Sequence, residues 1–266
     1  MGELQNNANV TNGSHVEWHF KDSEPYSLQM EGVWSGLSSL ANTSDAIIPV
    51  AILDSGLAEL VQNSSEYFET LLPGYDFISD PLLALDNDGR DPNPTDPGDA
   101  GPDCPVSSWH GTKMASAVGL RHGVVPGVHS MLSGRVAAIQ PMRVLGQCSM
   151  GYANDVTDAI VWAAGGQING LPLNLNPVKV ISMSFSGQGT CPSFLQSAVN
   201  LAISKGVMLV GAAGNQGSNA EGYFPGNCVG VIAIGSSTRE GTLAPYSNWA
   251  RPCWQVPPGV MTLIPY

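Results

Sequence analysis

The feature that most constrains the fold is a set of five short apolar runs, each rich in Val and Ile. Most of these runs end in Gly, Ser or Asp. Continuous apolar runs of this length predict strands that are buried on both faces, as in a parallel sheet. The runs are Ile47–Leu53, Val136–Leu145, Val178–Ser182, Val207–Gly211 and Val229–Ile234.

Helical patterns lie between the apolar runs. Residues Ala153–Gly165 and Pro192–Gly206 repeat apolar side chains at helical spacing, and each segment ends in a glycine, where a helix C-cap belongs. Strand, helix and strand in repetition are typical of a doubly wound sheet with right-handed crossovers. The predicted fold class is therefore α/β, with three layers and a mostly parallel sheet. A chain of 266 residues is of ordinary size for one such domain.

Composition and charge exclude several classes of protein. Only 12% of the residues are charged, which argues against a coiled coil or a charged disordered tail. Ten Lys and Arg against 22 Asp and Glu give a formal net charge of -12, so nucleic acid is not an expected partner. No stretch of 18 apolar residues occurs, and the polar start MGELQNNANVTNGS has no apolar signal-peptide core. We expect neither a membrane span nor a signal peptide in this chain.

Three polar residues occupy positions where functional groups gather in doubly wound folds, at the carboxyl ends of strands. Asp54 ends the run AILDSG, and Asn215 follows a buried strand in AAGN. In SWHGTKMASAVGL, His110 is followed by a glycine and then by a small-residue helix predicted over 112–118. Taken singly, each has a plain alternative: a turn or cap aspartate, a capping or core histidine, and a turn asparagine. The functional interpretation is a histidine with room to meet a substrate and an amide that donates to a developing oxyanion.

The segment Asp86–Asp103, DNDGRDPNPTDPGDAGPD, is predicted to be a long irregular loop. One interpretation is a solvated insertion stiffened by proline. The other is a structural calcium site, because calcium takes several carboxylate and carbonyl oxygens, although the spacing is not that of an EF-hand. The candidate ligands are Asp86, Asp88, Asp91, Asp96 and Asp99.

The motifs VAILDSG, HGTxxA and AAGN, in this order on an α/β pattern, resemble those of the subtilisin-like serine peptidases. The resemblance extends from about Trp18 to the end of the chain. VISMSFSG resembles the strand that carries the family's substrate-binding wall, and LAPYSNWARPCWQVPPGV resembles a further family segment. Within the family, DPGD before SSWHGT and RVLG-x-C after it are similar to bacterial extracellular proteases whose catalytic domain carries disulfides.

The resemblance implies a role for each matching residue. His110 is the expected general base, Asp54 orients and stabilises its imidazolium, and Asn215 donates to the oxyanion. It also raises the expectation of structural calcium, while catalysis needs no cofactor. The residues that the resemblance assigns to substrate binding are Ser184, Phe185, Ser186, Gly187, Ala213 and Gly214.

The family's nucleophile lies in a Gly-Thr-Ser-x-Ala motif, and no Gly-Thr-Ser occurs in this sequence. The three Gly-Thr pairs are followed by Lys113, Cys191 and Leu243. We therefore expect the domain to be incomplete at its C-terminus, with residues 1–17 a polar segment and residues 18–266 a peptidase domain that lacks its last part. Such a chain is expected to be inactive and poorly stable by itself.

The five cysteines are widely spaced, which suits disulfides in an oxidising compartment with one thiol left over. Five unpaired, buried cysteines are the alternative. The resemblance suggests the pairs Cys104–Cys148 and Cys191–Cys228, leaves Cys253 over, and implies an extracellular protein.

Three hypotheses about function follow. The first is a secreted endopeptidase that acts on protein or peptide substrates as a monomer, seen here as a fragment. The second is a catalytically dead fragment or pseudoenzyme that binds a peptide or a partner. The third is a degenerate gene product with no stable role.

Overall fold

A computed structural model describes residues 21–23, 25, 27–28, 30–40, 47–121, 124, 130 and 136–249. Its helices are α1 (Met30–Leu40), α2 (Glu59–Gln62), α3 (Pro81–Ala84), α4 (His110–Gly119), α5 (Ala153–Ala163) and α6 (Ser193–Ser204). Its strands are β1 (Ile48–Asp54), β2 (Leu57–Ala58), β3 (Thr70–Leu71), β4 (Tyr75–Asp76), β5 (Thr95–Asp96), β6 (Ala137–Arg143), β7 (Val180–Met183), β8 (Gly187–Gln188), β9 (Met208–Ala212), β10 (Tyr223–Phe224) and β11 (Val231–Ile234).

The central sheet is parallel and has seven strands, in the order β11-β9-β7-β1-β6-β3, with β4 also paired to β6. All five apolar runs form strands of this sheet, each within two residues of its predicted start. Strand β1 lies between β6 and β7, and its last residue, Asp54, is in register with Arg143. The predicted parallel sheet is thus confirmed.

The side chains of β1 divide between two cores, because successive residues of a strand point to opposite faces. Ala51 and Leu53 belong to a buried cluster that includes residues of α5 and α6. Val50 and Ile52 belong to a second cluster, which contains Met114 of α4. Helices therefore cover both faces of the sheet, and the three-layer prediction is confirmed.

Several local predictions are also confirmed. The predicted helices at 153–165 and 192–206 are α5 and α6, and Gly165 and Gly206 follow them with φ of 73° and 78°. The disulfides are Cys104–Cys148 and Cys191–Cys228, as the resemblance implied. None of the helices in the described part of the chain is both long and apolar enough to cross a membrane.

Other features differ from the predictions. The small-residue helix expected over 112–118 begins at His110, so that the histidine is its first residue. The segment 86–103 is not wholly irregular, since β5 within it pairs with β2. Helix α1 and the two-residue strands were not predicted. The polar segment 1–17, Cys253 and the end of the LAPYSNWARPCWQVPPGV stretch lie outside the described residues.

Candidate active site

Asp54 is fixed at the carboxyl end of β1, where it is fully buried. Its backbone carbonyl accepts hydrogen bonds from the N–H groups of Val144 (2.8 Å) and Leu145 (3.1 Å), so the neighbouring β6 segment holds the end of the strand. Its Oδ1 atom accepts the N–H of Ser55 at 2.8 Å. The carboxylate is therefore oriented before any substrate is present.

His110 lies directly against this carboxylate. Its Nδ1 atom is 2.8 Å from Oδ1 and 2.9 Å from Oδ2 of Asp54. The close approach of α4 to the end of β1 depends on Gly111, because a Cβ there would lie 2.3 Å from the carbonyl oxygen of Gly56. The N–H of Gly111 donates to Oγ of Ser55 at 3.0 Å, which fixes the start of the helix.

The electrostatics of the pair favour a histidine that can take up a proton. Burial by itself lowers the pKa of His110, but the hydrogen bond and the charge of Asp54 outweigh burial and raise the pKa above its ordinary value. The charge of Lys113 lowers this pKa, and that of Asp99 raises it. The geometry and the charges thus suit a base whose protonated form is stabilised by a buried carboxylate.

The other ring nitrogen of His110, Nε2, has no hydrogen-bond partner among the described residues, and the side chain is 19% exposed. No described serine or threonine hydroxyl therefore occupies the place of a nucleophile. Ser149, which follows a disulfide cysteine, instead donates its hydroxyl to Asp99 at 2.8 Å.

Asp99 braces the segment that leads into His110. Its carboxylate accepts the N–H of Ser108 at 2.5 Å, the hydroxyl of Ser108 at 2.7 Å and the hydroxyl of Ser149. Burial acts to raise the pKa of Asp99, but the hydrogen bonds from both serines outweigh it and lower the pKa. The hydroxyl of Ser108 in turn accepts the N–H of His110 at 3.2 Å. Sequence reasoning considered Asp99 only as a metal ligand and missed this role.

Asn215 follows the carboxyl end of β9, after the buried residues Ala213 and Gly214. Its side chain is exposed and has no hydrogen-bond partner in the described part of the chain. Because only β7 separates β1 from β9, the ends of β1 and β9 are roughly 10 Å apart. The amide therefore belongs to the same edge of the sheet as the Asp54–His110 pair.

The predicted substrate-binding wall lies between these two groups. It follows β7 and comprises Ser184, Phe185, Ser186 and Gly187, all partly exposed. Its last residue begins β8, which pairs antiparallel with β10. A Cβ built on Gly214 would lie 3.1 Å from Oγ of Ser186, so the wall adjoins the loop 213–218, which carries Asn215. The structure thus brings every sequence-predicted catalytic and substrate-binding residue to one edge.

The acidic candidates for calcium do not converge. Asp86 pairs with Arg143 at 2.5 Å, and Asp96 accepts the hydroxyl of Ser55 at 2.7 Å. Asp91 bonds the N–H of Asn93, and Asp88 is exposed. Within the described ranges, no group of three or more His, Cys, Asp or Glu side chains is placed to hold a metal ion. The residues as arranged do not fit a calcium site, and calcium binding stays a prediction.

Comparisons with known proteins agree with this geometry. The sequence model of the subtilase family matches residues 46–262. An extracellular protease of Xanthomonas campestris pv. campestris is 43% identical over 208 residues, which are 75% of this chain and 35% of that protein. An extracellular basic protease of Dichelobacter nodosus is 34% identical over 259 residues, which are 93% of this chain and 41% of that protein.

A solved structure described as proteases from Pseudoalteromonas arctica PAMC 21717 superposes with a TM-score of 0.76 at 38% identity. The match covers 88% of this chain and 67% of that one. The chain spans 35% and 41% of the lengths of the two curated relatives. The match of the family model over most of the sequence, together with the Asp54–His110 pair, shows that this chain belongs to the subtilase family.

Proposed function

We propose that the protein carrying this chain is a secreted serine endopeptidase of the subtilisin type. The observation that carries the proposal is the contact between Nδ1 of His110 and the buried carboxylate of Asp54, at 2.8 and 2.9 Å. The exposed amide of Asn215 at the same sheet edge supports it. Relatives named extracellular protease and the two disulfides support secretion.

In the proposed reaction, Nε2 of His110 removes the proton from a serine hydroxyl as that oxygen attacks the peptide carbonyl. The imidazolium that forms is stabilised by Asp54, and the tetrahedral oxyanion accepts a hydrogen bond from Asn215. His110 then returns the proton to the leaving amine. Water repeats the sequence on the acyl-enzyme and releases the acid.

The substrate in this proposal is an extended protein or peptide segment. It lies along the wall Ser184–Gly187, between the histidine pair and Asn215. Protein substrates and a monomeric enzyme are part of the proposal, as is the absence of any cofactor in the chemical step.

The first test is to read the coding sequence past the codon for Tyr266. A continuing frame with Gly-Thr-Ser-x-Ala supports the proposal. The expressed product should then hydrolyse peptide anilides and be labelled by a serine-directed phosphonate. A His110→Ala variant is the control, since it should lose both reactions, and its circular dichroism spectrum shows whether it is still folded. A stop codon directly after Tyr266 would end the catalytic interpretation.

A second candidate is a non-catalytic protein that binds a peptide or a partner. The observation behind it is that no serine or threonine hydroxyl among the described residues contacts Nε2 of His110. In that case fluorescent peptides should bind without being cleaved, and substitution of Ser186 should weaken their binding. Cleavage of the bound peptide would exclude this candidate.

A further inference from the structure

One buried side chain holds the loop that carries Asn215. Asn248 is 1% exposed, and all four hydrogen-bonding positions of its amide are used on residues 213–218. Its Nδ2 atom donates to the carbonyl oxygen of Ala213 at 3.0 Å and to Oε1 of Gln216 at 2.8 Å. Its Oδ1 atom accepts the N–H groups of Gln216 at 2.9 Å and Ser218 at 3.0 Å.

The backbone around Asn248 adds two more attachments. Its own N–H donates to the carbonyl oxygen of Gly214 at 2.9 Å, and the N–H of Trp249 donates to that of Ser218 at 2.9 Å. Residues on both sides of Asn215 are therefore hydrogen-bonded to Asn248 and Trp249, which lie 33 and 34 positions after Asn215 in the chain.

Asn215 itself makes no such contacts. Since its side chain is exposed and unpartnered among the described residues, the direction of its amide depends on the backbone of the loop. An oxyanion donor is effective because it is already oriented when charge develops, and reorientation during the reaction would cost free energy. The contacts of Asn248 supply that orientation.

We propose that Asn248 is a positioning residue for the oxyanion-binding amide of Asn215. This inference rests on the proposed peptidase function. Asn248 does not touch the reacting atoms, and it acts only through the backbone on either side of Asn215. Its loss should therefore lower kcat by a larger factor than it raises KM, because the wall 184–187 is held by its own strands and only Ala213 and Gly214 of the predicted substrate-binding residues are held by Asn248.

The test is a double-mutant cycle in the full-length protein, with Asn215→Ala, Asn248→Ala and the double variant. We expect Asn248→Ala to lower kcat about 10- to 100-fold, at or below the roughly 10²- to 10³-fold loss that follows removal of one oxyanion donor, and to raise KM by a smaller factor. In the Asn215→Ala background, the same change should lower kcat less than threefold. Equal losses in both backgrounds would overturn the inference.

Asn174 provides a matched control. It is also a buried asparagine, 3% exposed. Its amide also uses all its hydrogen-bonding positions, on Gln140, Trp162, Ala163 and Asn176. Asn174→Ala should lower the temperature of unfolding about as much as Asn248→Ala does, but should leave kcat unchanged. Equal effects of both variants on kcat would show a general structural role.

Failure of the proposed function would be visible separately, as a parent protein that cleaves no peptide. The positioning role is then measured by hydrogen exchange. The amides of Gln216 and Ser218 should exchange at least tenfold faster in Asn248→Ala, while that of Leu209 in β9 should not change. Unchanged exchange at Gln216 and Ser218 would refute the positioning role in either case.

Discussion

Replacing Gly214 by alanine should disturb the loop 213–218, which carries Asn215, and the structure gives the size of the effect. Gly214 has a φ of +104°, and a Cβ there would lie 2.3 Å from Nδ2 of Asn248 and 2.6 Å from Oε1 of Gln216. Ordinary contacts begin near 3.4 Å, so the amide of Asn248 must move by about 1 Å. A movement of that size breaks both hydrogen bonds that its Nδ2 atom donates.

The free-energy cost of Gly214→Ala has two parts. A left-handed backbone costs a residue other than glycine about 1–2 kcal/mol. The two lost hydrogen bonds add about 1 kcal/mol each, so the total is about 3–4 kcal/mol, concentrated in the loop of Asn215. Gly206 is the matched control, because it has a φ of +78° and no atom within 4 Å of a built Cβ. Gly206→Ala should carry only the backbone penalty of about 1–2 kcal/mol.

The assay compares kcat for peptide anilide hydrolysis with the unfolding temperature in both variants of the full-length protein. Gly214→Ala should lower kcat about 10- to 100-fold. The upper limit is the roughly 10²- to 10³-fold loss found when one oxyanion donor is removed from a subtilisin, a member of the same family. Gly206→Ala should lower the unfolding temperature but change kcat less than threefold. If the two variants have the same kcat, the contact between Gly214 and Asn248 does not orient Asn215, and the reasoning fails.

Four further predictions concern the histidine pair and the disulfide Cys104–Cys148. Asp54→Asn should lower kcat about 10⁴-fold at neutral pH, the loss found for the corresponding change in a serine protease of another fold, because its NH₂ group would select the wrong tautomer of His110. A loss under tenfold, measured after active-site titration, would contradict this. The acidic limb of kcat/KM should lie above the ordinary histidine pKa of 6.5, since Asp54 raises the pKa of His110 and the protonated ring accepts no proton. Lys113→Gln should move this limb to still higher pH, because the lysine lowers the pKa, and an unmoved limb in the pH profile would contradict that effect. Replacing Cys104 and Cys148 by serine opens a 44-residue loop and should lower the free energy of unfolding by about 4 kcal/mol. The measurement is a urea titration of the inhibited protein. A loss below about 1 kcal/mol would show that loop closure contributes little to stability.

The sheet and the Asp54–His110 pair could be predicted because their signals are local. Each long strand lies in a predominantly apolar run, although β6 also contains Gln140 and Arg143. The carboxyl ends of parallel strands share one edge of a sheet. Asp54 and Asn215 follow such runs directly, and the glycine after His110 allows α4 to approach β1. The order of the motifs along the chain is enough to predict these positions, and no long-range contact has to be known.

The contacts of Asp99 and Asn248 that hold the site in place could not be predicted, because the bonded residues are distant in sequence and are common polar types. Asp99 bonds Ser108 and Ser149, which lie 9 and 50 residues away in the sequence. In a loop rich in Pro and Asp, the sequence does not distinguish a carboxylate that accepts hydroxyl groups of the protein from one that binds a cation. The Asn248 contacts reach back 30 to 35 positions. Strands of two residues, such as β5, have no periodicity to detect.

The Asp54–His110 pair and the loop that carries Asn215 are held by different residues, so a substitution can change one without changing the other. The charged groups that act on His110 are Asp54, Lys113 and Asp99, and none of them lies in the segment 213–249. The side-chain amide of Asn248 bonds only uncharged groups of the loop 213–218. Asn248→Ala should therefore lower kcat without moving the acidic limb of the pH profile, whereas substitution of Lys113 should move the limb. A shift of the limb in Asn248→Ala would show that the loop and the histidine are coupled through contacts other than those described.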